Sequence, residues 1–280
     1  MTLEKEDIVR ALVYINSDIT EEVKITNNIS LIPISKELKD KYIKENHPHF
    51  TYTCDLRYVN YYFEFKCPDE LGEVCDLVDN LTLTLKLIKL GSSGIILTIF
   101  PSKVSQTTTR DSKIEYSLLK ETEINFNDLP QFNKILKSLS KKKNDEKIKL
   151  AIDKYNYATS GLNINFSNRF IDLMTIIEML YSPSKEEQLR FRVSLAVAKL
   201  FNKNNLKIDD KKEVETSKEK FDEMKKLYDI RSKLVHSGES NKLTNNEFLL
   251  LADIVRKSLL LYLDNPEHFK QESLLSLICE

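Results

Sequence analysis

At 280 residues the chain can hold one large core or two modest ones, and two domains are expected. Its 42 Lys and Arg against 43 Asp and Glu leave a net charge of −1. No global field therefore draws the chain to nucleic acid or to a membrane, and any RNA contact has to be local. Residues 151–280 are balanced as well, with 20 basic against 20 acidic side chains, which argues against a tight nonspecific nucleic-acid binder and not against a nuclease with a small site.

The N-terminal MTLEKEDIVR lacks the apolar run of a signal peptide, so a soluble, cytoplasmic chain is expected. Val23, Ile25, Ile29 and Leu31 alternate around Asn27-Asn28, a dipeptide that tolerates a tight hairpin turn, and Pro33 marks an edge or strand end. Ser35 is placed to cap a short helix running to Glu45. Phe50 to Phe65 is rich in aromatic and β-branched residues and reads as two strands. Leu71, Val74, Cys75, Val78, Leu81, Leu85 and Ile88 form a helical stripe closed by Gly91. Ile95 to Phe100 reads as a buried strand, and Ile114, Tyr116 and Leu118 mark another.

Cys54, Cys67, Cys75 and Cys279 show no paired spacing, and Cys75 on the helical stripe reads as a reduced core thiol. His47 and His49 precede the cysteines at spacings that fit no familiar zinc finger or ribbon, so neither a metal nor another cofactor is expected. With five glycines and no phosphate-cradling loop, nucleotide hydrolysis is not expected either.

The run Lys137 to Lys149 reads as a solvated linker or helix face, with a phosphate-contacting patch as the alternative. We divide the chain just before this run into 1–130, a mixed α+β domain, and 131–280, an all-α bundle. Helices are expected at 146–159, 165–182, 185–202, 213–237, 244–263 and 266–278. Leu249–Leu263 is apolar but interrupted by Asp253, Arg256 and Lys257, so it reads as a buried helix and not as a membrane span.

Within the bundle, Lys218 to Gly238 carries Phe221, Met224, Tyr228, Ile230, Leu234 and Val235 at helical spacing, and Ser237-Gly238 stops it. Arg231 and His236 lie near its end, a permanent cation and a group that exchanges protons near neutral pH. Five residues turn a helix by about 500°, so the two side chains point about 140° apart. Either the last turn unwinds and swings His236 round, or a second copy completes the site. We favour the second, alone or combined with the first, because a twofold interface is self-complementary.

Arg231, Ser232, Lys233, Leu234, Val235 and His236 resemble the RxxxxH signature of the HEPN superfamily, and the surrounding chain resembles its Apea-like branch. The resemblance extends through Asn168-Arg169-Phe170-Ile171-Asp172 and Ile177-Glu178-Met179-Leu180 to Arg192, and covers roughly Lys147 to Asn265. It implies a HEPN-like bundle that dimerises and a metal-independent endoribonuclease, a toxin-type effector of anti-phage defence with RNA as substrate. A trigger or an antitoxin partner is not specified by the chain. Ser232 departs from the asparagine or aspartate that many members carry after the arginine.

Cleavage of RNA by transesterification needs a base for the 2′-hydroxyl, an acid for the leaving 5′-oxygen and positive charge on the phosphate. Arg231 offers a planar fork for phosphate oxygens, and a helix C-terminus favours positive charge at His236, which suits an acid or electrostatic role. Ser232 can hydrogen-bond a phosphate or orient the histidine. Glu178, among apolar Ile171, Met174, Ile177 and Tyr181, needs a partner for a half-buried carboxylate. Arg192 on the next helix is a natural one, either as a structural ion pair or as part of a pair facing the Arg231/His236 cleft. Arg169 reads as a solvated residue at a helix start. The rival from another class is a non-catalytic HEPN dimer that binds RNA or regulates. A sensing or restraining role for the first domain follows from the architecture alone.

Overall fold

The computed structural model describes residues 8–46, 59–66, 70–99, 105–106, 122–142, 145–159, 165–182, 188–238 and 243–279. Two compact units divide after Lys141, so the expected boundary at 130/131 falls inside a helix that belongs to the first unit. His47, His49, Cys54, the first expected strand after Phe50, Cys67 and the Ile114–Leu118 strand lie outside the described residues.

The first unit runs β1 (Ile8–Tyr14), β2 (Asn16–Ser17), β3 (Val23–Thr26), β4 (Ile29–Pro33), α1 (Lys36–Asn46), β5 (Tyr61–Lys66), α2 (Leu71–Ile88), β6 (Gly94–Ile99), β7 (Ser105–Gln106), β8 (Glu123–Ile124) and α3 (Leu129–Lys141). Six strands form one antiparallel sheet in the order β3-β4-β5-β1-β6-β7. The expected hairpin is present, with Val23 opposite Leu31 and the chain turning at Asn27-Asn28. Ser35 Oγ accepts the Leu38 N–H at 3.2 Å, capping α1.

Both central strands are buried on both faces. Ala11 of β1 pairs with Phe63 of β5, whose ring lies 5.9 Å from that of Phe132 on α3. Leu12 and Tyr62, one residue along and so on the opposite face, join a cluster with Leu97 against which Leu38 of α1 packs. One glycine is forced by close approach: a Cβ at Gly91 would meet Thr122 Cα at 2.7 Å.

Cys75 is a correction, since its side chain is exposed. The buried face of α2 runs through Val74, Val78, Leu81, Leu85 and Ile88, and Cys75 stands one step off it in the solvent-facing first turns.

The second unit is helical: α4 (Glu146–Thr159), α5 (Phe166–Tyr181), α6 (Leu189–Lys203), α7 (Ser217–Ser237), α8 (Asn245–Asp264) and α9 (Gln271–Cys279), with a 3₁₀ turn at Pro266–Phe269. No helix among the described residues is long and apolar enough to cross a membrane. α5 is the centre, packing on α4, α6, α7 and α8. Phe170, Leu173, Met174, Ile176, Ile177, Leu180 and Tyr181 of α5 are all fully buried. The Tyr181 hydroxyl hydrogen-bonds Ser258 Oγ of α8 at 2.9 Å, and burial pushes that phenol upward from its ordinary value.

The long α6–α7 connection is tied down from both ends. Glu215, its carboxylate fully enclosed, accepts the Ile208 N–H at 2.6 Å. Lys257 of α8 is buried and donates to the Lys207 carbonyl at 2.9 Å, to Asp210 at 2.8 Å and to Asp253 at 2.7 Å. A buried ammonium persists when its protons are all met by oxygen, as here.

Candidate functional site

α7 opens with a capping box in which Thr216 Oγ1 accepts the Glu219 N–H at 3.2 Å and Glu219 accepts the Thr216 N–H at 2.8 Å. It closes at Gly238, whose φ of 67° is the left-handed conformation that ends helices. Between them the helix is regular through His236 and Ser237, so the last turn does not unwind to redirect the histidine.

Met224, Leu227, Tyr228, Ile230 and Leu234 form the buried face of α7. Two positions of the expected stripe depart from it. Phe221 is half-buried, and Val235 is 46% exposed. Leu227, at the centre of the face, takes the place that spacing had given to Val235, which lies about 80° further round an ideal helix.

Arg231 sits at the margin of the buried face, with a side chain 25% exposed. One of its terminal nitrogens, Nη2, stands 3.5 Å from Glu178 Oε2 on α5. The other Glu178 oxygen accepts the Tyr228 hydroxyl at 2.7 Å. The Arg231 guanidinium also lies 5.8 Å above the Tyr228 ring, three residues back on the same helix. Burial, and then the Glu178 carboxylate, pushes the Tyr228 hydroxyl up to about 12. Arg231 Nε is enclosed without a hydrogen-bond partner among the described residues.

Glu178 is thus the half-buried carboxylate that the sequence required, but its partners are Tyr228 and Arg231 in place of Arg192. Arg192 is half-buried at the margin of the face that α6 buries, about 40° round from Ala196 and 100° from Val193. Tyr228 belongs to the core, as its spacing implies, but its hydroxyl reaches Glu178, and an aromatic four residues after Met224 on an amphipathic helix carries no sign of that. Ser232 is half-buried next to Arg231, and His236 is exposed in the last turn.

Arg169 is also corrected: it is only 4% exposed. Its Nε–H donates to the Ala158 carbonyl at 2.5 Å and its guanidinium lies 4.9 Å from the Phe248 ring centre. A helix start reads as solvated from sequence, but here α4 and α8 close over it, and burial lowers the arginine from its ordinary value.

Within one chain, then, Arg231 is anchored from α5 while His236 projects about 140° away round the same helix. No family model matches this chain, and no curated protein or solved structure matches it.

Proposed function

We propose that the second unit is a HEPN-like module acting as a metal-independent endoribonuclease, with Arg231 and His236 as its catalytic residues. The observation that carries this reading is the Tyr228–Glu178–Arg231 arrangement, which fixes an arginine in a half-exposed position one turn and a half before an exposed histidine. Arg231 holds a phosphate oxygen and the developing negative charge. The 2′-hydroxyl attacks phosphorus and gives its proton to solvent water, the P–O5′ bond breaks, and His236 donates a proton to the leaving 5′-oxygen, which leaves a 2′,3′-cyclic phosphate and a 5′-hydroxyl. Ser232 orients phosphate or histidine.

The regular helix through Ser237 supports a site shared between two copies, because one straight helix does not aim both groups at one phosphate. The cellular role, a toxin-type effector of anti-phage defence, rests on the resemblance to Apea-like proteins. The second reading, a non-catalytic dimer that binds RNA or regulates, is favoured by one contact: Glu178 already partners the arginine fork. Cleavage of RNA in EDTA by the wild-type chain and by His236→Ala separates the two.

A further inference from the structure

Three groups that the chemistry above does not use lie on the same face of α7 as His236 and Ser232. On an ideal helix Lys218, Phe221 and Lys225 fall within about 60° of the direction of His236. Lys218 stands about 27 Å up the axis from His236, and Phe221 about 22 Å. The Lys225 ammonium lies 5.3 Å from the centre of the Phe221 ring. Phe191 of α6, 49% exposed, meets the same ring edge-on at 5.4 Å between centroids. Beside Phe221 a groove between α6, α7 and α9 is floored by Leu195, Ala198 and Leu277 and rimmed by Lys199, Lys203 and Lys218.

The charge of this face is unspent. None of Lys199, Lys203, Lys218 and Lys225 forms an ion pair with a carboxylate among the described residues. Of the two nearby aspartates, Asp229 is met by Arg190 at 2.5 Å. Asp222, about 40° from the direction of His236, shares this face, and with Asp229 it lines a second groove that also carries Arg190, Lys225, Lys226 and Lys233, so cations outnumber carboxylates there. Unpaired lysines interleaved with two accessible aromatic rings have the composition of a surface that tracks a phosphate backbone and stacks bases. An acidic amphipathic protein segment would use the same lysines and rings, and the test below separates it from RNA.

We propose that this face is a track for single-stranded RNA, with Phe191 and Phe221 as stacking platforms and Lys199, Lys203, Lys218 and Lys225 on the phosphates. It leads along α7 to His236. The inference rests on the ribonuclease reading for its direction, and it names the substrate class of that site. At roughly 3.4 Å per nucleotide of a stacked strand, 27 Å spans about eight nucleotides, fewer if the strand is extended. A duplex cannot offer its bases to the two rings, so single strands are selected.

The test measures binding and cutting separately. A fluorescein-labelled 2′-O-methyl 12-mer, which lacks the attacking hydroxyl, is titrated against the full chain by anisotropy over a salt series. Wild type is expected to bind it, and Lys218→Gln/Lys225→Gln to bind about tenfold more weakly, with a salt slope smaller by about 1.4. Phe221→Leu should weaken binding about tenfold and Phe221→Tyr should restore it. Circular dichroism confirms that each variant is folded. Unchanged affinity in the double lysine variant, no binding by wild type, or binding of an acidic amphipathic peptide in place of the 12-mer overturns the track. Cleavage of the all-ribose 12-mer is scored alongside. Binding through the track without cleavage removes the ribonuclease reading and leaves the track. Cleavage with binding insensitive to the variants does the reverse.

Discussion

Tyr228 and Glu178 are joined across the α5–α7 interface by a hydrogen bond of 2.7 Å, and this bond decides where Arg231 stands. A carboxylate with side-chain exposure of 16% shares its two oxygens between a phenol and a guanidinium. Each group limits the freedom of the other two, and α7 is thereby locked in rotation against the centre of the bundle.

Removing the shared acceptor should be costly. Glu178→Ala leaves a phenol and a guanidinium half-buried without their partner, and is expected to lower stability by about 2–3 kcal/mol in urea unfolding. Glu178→Gln keeps an acceptor for Tyr228 and should lose about half as much. Equal losses in the two variants would show that packing, and not the shared acceptor, holds the helices together.

The same bond gives an alkaline signature. The folded Tyr228 hydroxyl is raised to about 12, so the unfolded chain gives up this proton first as pH rises. Stability linked to it is full below the ordinary tyrosine value near 10 and is lost as pH rises towards 12. Tyr262, held by Asp145 at 2.9 Å and also raised to about 12, adds to the same window. Unfolding midpoints measured between pH 9 and 12 should fall less steeply in Tyr228→Phe than in wild type.

Lys257 offers a test of the α6–α7 connection. Lys257→Met removes an ammonium that donates to Lys207, Asp210 and Asp253, and is expected to cost about 2–4 kcal/mol. Hydrogen exchange should rise first over residues 204–216, where the backbone depends on this lysine and on Glu215. If the loop amides stay protected, the lysine is not their anchor.

Patterns of burial were legible wherever a single period ran unbroken. The hairpin at Asn27-Asn28, the helix over 71–88 and the helices of the second unit stand within a few residues of where spacing and capping residues place them. Among the longer elements, two went unread. β1, the strand between β5 and β6, lies in IVRALVY, where Arg10 interrupts the alternation; its charge is met by Glu64 on β5 at 2.8 Å. α3 follows a 3₁₀ turn capped by Asn125 and Asp128, signals that a run of lysines further on obscured.

At the candidate site the sequence supplied the residues and not their pairing. Glu178 needed a cation, and two arginines were within reach of an argument based on helix order. The choice between Arg192 and Arg231 depends on the rotation of α6 and α7 about their axes, which the packing of the whole bundle sets. Arg169 shows the same limit, because its burial comes from α4 and α8.

The central claim, RNA cleavage by Arg231 and His236, is tested most directly by incubating purified protein with tRNA and a short single-stranded RNA in EDTA. Wild type and His236→Ala run side by side, and fragment ends are analysed. Cleavage by wild type alone is expected, with 5′-hydroxyl ends and cyclic or 3′-phosphates. Equal cleavage by His236→Ala, or 5′-phosphate ends, would contradict it.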